Sequence, residues 1–298
     1  MMGMKFFYQS HDFYAGQFTK TIFPQFEHFN KYIALWFIAW FNKYSPILLG
    51  GLVRDFENIF NNIEISVPFI NNEIAFTHIE ARVRELEEQR VRELEAYLSE
   101  AGFDDCKLTE YESKALSDYT YKEFCEHPIY DGVFKVTNSH NILKSDIILG
   151  SGTTPYVTAG EGDNSIMGYI SYNNDMIEPG NSILIGGKTM VVTYQPDDFF
   201  SNDSHNLLLS LKSKENGNEN VYLFLAAALK KSLGHKYHWG DSISKQKIKS
   251  DIVNLPMNGN EVDYPFMDTI ISGIKKRIIA NLKSFIDKEH QAYLEVTK

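Results

Sequence analysis

The chain has 298 residues, 43% of them apolar and 14% aromatic, with a formal net charge of −10. That is apolar material for one large domain or two ordinary ones, and it excludes disorder over most of the length. Two cysteines, Cys106 and Cys125, exclude a disulfide scaffold and a cysteine-based zinc site, and they suit a reducing compartment.

The N-terminal residues lack the charged start and apolar core of a secretory signal. The longest apolar run, Tyr32 to Phe41, is about half of the roughly 20 residues a spanning helix needs. A soluble, cytoplasmic protein with no membrane partner is expected. From about Phe76 to Ala101, Ile79, Val83, Leu86, Val91, Leu94, Tyr97 and Leu98 recur every three or four residues and predict a long amphipathic helix. Gly102 supplies a stop, and the helix would be roughly 40 Å long. Its surroundings are acidic: residues 73–131 hold 16 Asp and Glu against 7 Lys and Arg. Residues 133–200 read as strand and turn, with strands at Ile147 to Leu149, Ser182 to Ile185 and Met190 to Val192. Helical periodicity returns at Asn206 to Leu211 and at Val221 to Lys231. Residues 230–250 carry six lysines (Lys230, Lys231, Lys236, Lys245, Lys247, Lys249) against Asp241 alone. A second long helix starts near Pro265, with Met267, Ile270, Ile271, Ile274, Ile278, Leu282, Phe285 and Ile286 on its stripe.

Helix one is acidic, whereas helix two carries Lys275, Lys276, Arg277, Lys283 and Lys288. Opposite charge and two apolar stripes predict that they pair, through Ile79, Val83, Leu86 and Leu94 on one side and Met267, Ile271, Ile274, Ile278 and Leu282 on the other. The alternative is that each helix packs on its own domain.

An internal repeat organises the chain. Shifted by 188 residues, Ile33 to Ala39 falls on Val221 to Ala227 and Lys43 on Lys231. Ile65, Val67 and Pro68 meet Val253, Leu255 and Pro256, Glu73 and Ile74 meet Glu261 and Val262, and Phe76 meets Tyr264. Agreement of both pattern and punctuation over such a stretch indicates duplication. Residues 102–190 have no upstream counterpart. Either the first copy is shortened at its front, or a partner chain supplies that half.

The catalytic and cofactor patterns sought are missing. Gly186-Gly187-Lys188-Thr189 resembles the end of a phosphate-binding loop, but Ser182 stands where that loop needs glycine and a strand follows where it needs a helix. A hairpin with Lys188 at its tip is the better reading, leaving a nucleotide-binding protein as a remote alternative. The nine histidines form no pair on one helix face, and His235 and His238 have no carboxylate cluster beside them. No nucleophile elbow, cofactor-binding glycine loop or amino-methyltransferase signature appears. No enzyme, cofactor or metal is expected. Tyr156, Thr158, Asn164, Ser165, Tyr169, Tyr172, Asn173 and Asn174 crowd one turn-rich stretch, and His235-Lys236-Tyr237-His238-Trp239 opens the basic one. Such residue types read base edges and grip phosphates.

Pro155-Tyr156-Val157-Thr158, Asn164 to Ile170, Gly180 to Gly186, Tyr194-Gln195, Lys236-Tyr237 and Asp251 to Pro256 together resemble the DNA-specificity subunit of type I restriction–modification systems. The resemblance covers essentially the whole chain, with its duplication. It implies an α+β fold in which mixed α/β target-recognition domains are joined by long helices that pair as an antiparallel coiled coil. The division expected is residues 1–72 as the back part of a first recognition domain, 73–101 as a spacer helix, 102–262 as a complete second recognition domain and 263–298 as a second spacer helix. The implied function is non-catalytic: sequence-specific binding of double-stranded DNA at a bipartite target, delivering methyltransferase subunits and a restriction subunit. A helical scaffold without DNA readout is the alternative. Lys236, Lys245, Lys247 and Lys249 are expected on phosphates, and Tyr156, Thr158, Asn164, Lys188, His235 and His238 on bases or the groove. The shortened first copy, and Leu48-Leu49-Gly50-Gly51 without the basic character of its repeat partner, leave one half-site open.

Overall fold

A computed structural model describes residues 4–17, 19–50, 55–100, 102–103 and 105–296, with side chains to Lys288. Gly51 and Ala101, named above, lie outside the described residues. The chain divides into two compact units, one of Met1–Asp104 with Lys283–Lys298 and one of Asp105–Leu282.

The first unit holds α1 (Lys31–Gly50), α2 (Phe56–Asn61), a two-stranded ribbon of β1 (Phe69–Ile70) and β2 (Glu73–Ile74), and α3 (Phe76–Glu100). α1 packs on α3. Ile33, Ala34 and Leu48 of α1 and Ile79 and Val83 of α3 are buried. The ribbon turns through Asn71 and Asn72, both with positive φ, a conformation that asparagine tolerates better than most residues.

The second unit runs α4 (Glu110–Asp118), β3 (Phe124–Pro128), β4 (Phe134–Asn138), β5 (Thr154–Val157), β6 (Ile166–Ile170), β7 (Ile177–Glu178), β8 (Ser182–Ile185), β9 (Val192–Gln195), β10 (Phe199–Ser201), β11 (Leu207–Leu211), α5 (Glu219–Leu233), β12 (Ile252–Asn258), β13 (Glu261–Val262) and α6 (Tyr264–Val296), which continues beyond the unit. Its strands form three sheets, ordered β6-β5-β10-β7, β4-β11-β8-β9 and β13-β12-β3. α5 lies on β8, β9 and β12. Leu225, Leu229 and Leu233 of α5, Leu207, Leu209 and Leu211 of β11, Val253 and Leu255 of β12, and Met267 and Ile270 of α6 share one core. The fold is mixed helix and sheet, as the sequence predicts.

The repeat is visible in the structure. α5, β13 and α6 begin 188 residues after α1, β2 and α3. Phe69 pairs with Ile74 and Ile70 with Glu73, just as Met257 pairs with Val262 and Asn258 with Glu261. Even the caps agree: Ile33 N–H donates to Asn30 Oδ1 (3.1 Å) and Val221 N–H to Asn218 Oδ1 (3.0 Å). The copies differ at Ile65, Val67 and Pro68, which stay half-buried and outside any strand. Their counterparts in β12 pair with β3, which falls in the stretch without an upstream match.

Two local expectations need correction. Asn206 to Leu211 is no helix; Leu207–Leu211 is a central strand between β4 and β8. A short apolar run buried on both faces carries no periodicity that separates the two states. Ile147 to Leu149 is loop, with Ile148 and Leu149 exposed. The residues expected to pair the two long helices lie in different surroundings. Ile79 and Val83 are buried in the first unit, and Met267 is buried in the core of the second with Ile271 packed against it. Leu86, Ile274 and Ile278 are exposed, and Leu94 and Leu282 half-buried.

Candidate nucleic-acid interface

The basic segment begins where α5 ends, with Gly234 N–H donating to Lys230 O (2.9 Å). Leu233 before it and Ile243 and Ile248 within it are buried, so its backbone is tied to the core. Asp251, itself buried, accepts from Lys236 Nζ (3.0 Å) and from Tyr237 Oη (2.6 Å). Burial, reinforced by the Asp251 carboxylate, pushes the Tyr237 phenol well above its ordinary value. Lys247 forms an ion pair with Asp241 and donates to Ser242 O (2.8 Å). That ammonium holds the Asp241 carboxyl below the usual carboxylate range. The Lys249 ammonium stands 5.3 Å from the Tyr130 ring centroid. Lys245 makes no ion pair among the described residues, and His235 and His238 are exposed.

A second polar surface of the same unit is a cleft of about 560 Å³ bordered by Asn164, Tyr169, Asn181, Gln195, Asp197 and Asp198. Its wall is conformationally unusual. Asp163 (φ 44°), Asn164 (φ 49°) and Ser165 (φ 64°) are consecutive left-handed residues after Gly162. Each costs of order 1–3 kcal/mol unless its surroundings hold it there. Three side chains do so: Asn164 Nδ2 donates to Tyr194 O (2.8 Å), the buried Gln195 donates through Nε2 to Asn164 O (3.1 Å), and Ser165 Oγ donates to Gly160 O (2.7 Å).

The structure separates the candidate residues into groups. Tyr156 is removed from the interface. It is 1% exposed, its hydroxyl donates to Ile142 O (2.7 Å), and burial raises its pKa. Its place on β5, paired with β6 and β10, turns it inward. Thr158 is half-buried beside the left-handed turn, and its N–H donates to Ser165 O. Asn164 is exposed at the cleft. Lys188 is exposed between β8 and β9, as the hairpin reading requires, but forms an ion pair with Asp203 at 3.1 Å. Burial works against the Asp203 carboxylate, yet bonds from His205 and Lys188 keep its pKa low. The adjoining glycines serve packing. A Cβ on Gly187 would lie 2.3 Å from His205 O, and one on Gly186 2.2 Å from Thr189 Oγ1. Gln195, a marker in the sequence without an assigned role, helps to hold the left-handed turn, and Trp239 of the basic stretch is 81% exposed.

Among the described residues no group of His, Cys, Asp and Glu is arranged to hold a metal ion, and no helix is long and apolar enough to cross a membrane. A family model described as the type I restriction modification DNA specificity domain matches residues 130–284. Among solved structures, the chain is similar to the S subunit of a type I restriction–modification system from M. genitalium, at 16% identity and a TM-score of 0.42, covering 86% of this chain and 69% of that one. It is also similar to a chain from a type I R-M system studied for complex assembly and conformational transition, at 14% identity and 0.43, covering 84% and 70%. The HsdS subunit from Thermoanaerobacter tengcongensis matches at 14% identity and 0.39, covering 84% and 66%. No curated protein matches by sequence.

Proposed function

Because the chain belongs to the type I restriction–modification DNA specificity family, we propose that it recognises a specific double-stranded DNA sequence and brings partner subunits to it. The family is one of DNA-recognition subunits and does not itself catalyse. The observation that carries the proposal is the position of the match. Residues 130–284 contain both the basic segment and the polar cleft, so the family resemblance and the two surfaces suited to DNA fall on the same part of the chain.

In this reading Lys245, Lys247 and Lys249 approach phosphates, and His235, His238, Asn164 and Lys188 approach base edges or the groove. The ion pairs of Lys188 and Lys247 lie at the surface and do not oppose this, whereas Lys236 is held by the buried Asp251 and stays in its structural pair. Exposed pairs contribute roughly 0–1 kcal/mol each, so a phosphate can displace a carboxylate partner at small cost. Methyltransferase and restriction subunits are the partners, the target is bipartite, and the cytoplasm is the compartment. The exposed Leu86, Ile274 and Ile278 favour pairing of α3 with α6 as the spacer between two half-sites. The test is selection of duplexes from a randomised pool by the full chain, alone and with methyltransferase subunits co-expressed. A recurrent two-part motif is expected, and a retained pool no different from its input would overturn the reading.

A further inference from the structure

Trp239 is 81% exposed on a turn closed by backbone hydrogen bonds. His238 N–H donates to Asp241 O (3.2 Å) and Asp241 N–H to His238 O (2.9 Å), closing a two-residue hairpin with Trp239 and Gly240 at its tip. Gly240 N–H donates to His238 Nδ1 (3.1 Å), locking the imidazole against the turn. Below the tip, Lys247 ties Asp241 to Ser242 O, and Asp251 binds both Lys236 and Tyr237. The turn therefore presents a large apolar ring to water on a preorganised backbone. A single exposed hydrophobic side chain is ordinary by itself. Here its setting is cationic. Between residues 234 and 258 the acids are Asp241 and Asp251, both ion-paired to lysine, against Lys236, Lys245, Lys247 and Lys249.

We propose that Trp239 is a stacking wedge, inserted between bases of the bound duplex while Lys245 and Lys249 hold the flanking phosphates. The inference rests on the DNA-recognition reading above and deepens it. An indole offers a flat π surface the size of a base and only two side-chain torsions to freeze, and base–aromatic stacking tolerates any sequence. Unstacking is cheapest at flexible pyrimidine–purine steps, so a wedge discriminates by deformability where no hydrogen bond is made. It would add specificity outside the positions read by Asn164 or His235. Charge decides the choice of partner: the segment that carries the ring has four lysines against two acids, which suits a polyanion.

The experiment uses the full chain and a short duplex from the enriched pool, carrying 2-aminopurine at successive positions. Wild-type binding should raise 2-aminopurine emission at one step. Trp239→Ala should abolish that rise and weaken binding about tenfold, with the slope of log K against log salt unchanged. Trp239→Phe should keep most of both. Equal thermal midpoints would show that the variants remain folded. Unchanged emission and affinity in Trp239→Ala would overturn the wedge, and would point to a protein contact for the ring. A wild-type chain that retains no duplex would overturn the wedge and the DNA reading together.

Discussion

Glu112 offers a quantitative test of how the second unit is assembled. Thr109 caps α4: Glu112 N–H donates to Thr109 Oγ1 (3.2 Å) while Thr109 N–H donates to Glu112 Oε2 (2.7 Å), a reciprocal box. The same carboxylate accepts from Ser272 Oγ (2.6 Å) and Lys276 Nζ (2.9 Å) on α6, joining the two helices, and it is 6% exposed. Gly273 lets them approach, since a Cβ there would lie 3.1 Å from Leu116 Cδ1. Burial raises the pKa, but bonds from Ser272, Thr109 and Lys276 outweigh it and lower the value from 4.5 to about 2. A difference of that size between folded and unfolded chain corresponds to about 3 kcal/mol at most, at about 1.36 kcal/mol per unit. The folded pKa is depressed, so this stability is fully present above the unfolded value. It falls to about half near pH 3.2 and vanishes as the folded carboxylate protonates. Glu112→Gln keeps the shape and the capping acceptor while removing charge. Urea unfolding of the wild type and this variant should differ by roughly 2–3 kcal/mol at pH 7, with the gap closing toward pH 2. A gap that stays constant from pH 7 to 2.5 would refute the reasoning, placing the stability in packing.

Replacing Lys245, Lys247 and Lys249 with Gln should weaken specific and random duplexes alike. It should also flatten the salt slope by about 0.9 for each phosphate no longer neutralised, as read by fluorescence anisotropy across a salt series. Asn164→Ala or His235→Ala should instead relax preference at one or two positions, at roughly 1–3 kcal/mol for each bidentate pair broken, in competition assays with point-mutated duplexes. Gly187→Ala forces a Cβ to 2.3 Å from His205 O and should lower the thermal midpoint. The wild-type midpoint should not respond to ATP with magnesium, and a large shift would revive the nucleotide-binding alternative. Leu225→Ala, at a fully buried core position of α5, should cost about 2–5 kcal/mol in urea unfolding.

The duplication was legible in the sequence because repeated apolar spacing encodes repeated local structure. Helices α1 and α5 open on Asn30 and Asn218, and α3 and α6 start at Phe76 and Tyr264, all in the register that the alignment of the chain with itself requires. Long amphipathic helices and the hairpin around Lys188 are local features, so period and turn chemistry specify them. The identity of Leu207–Leu211 was a tertiary decision: a continuous apolar run becomes a strand because β4 and β8 are there to pair with it. So was the fate of the candidate interface. Tyr156 and Thr158 are near neighbours in sequence, yet pairing of β5 on both sides buries the tyrosine and leaves the threonine half-exposed at the strand's end. Composition marked residues 230–250 as basic, but only the fold reveals that Asp251 and Asp241 already hold Lys236 and Lys247, and that the exposed ring among them is Trp239. Charge can be counted along a chain, whereas the partner each charge finds and the solvent each side chain meets depend on residues far away in sequence.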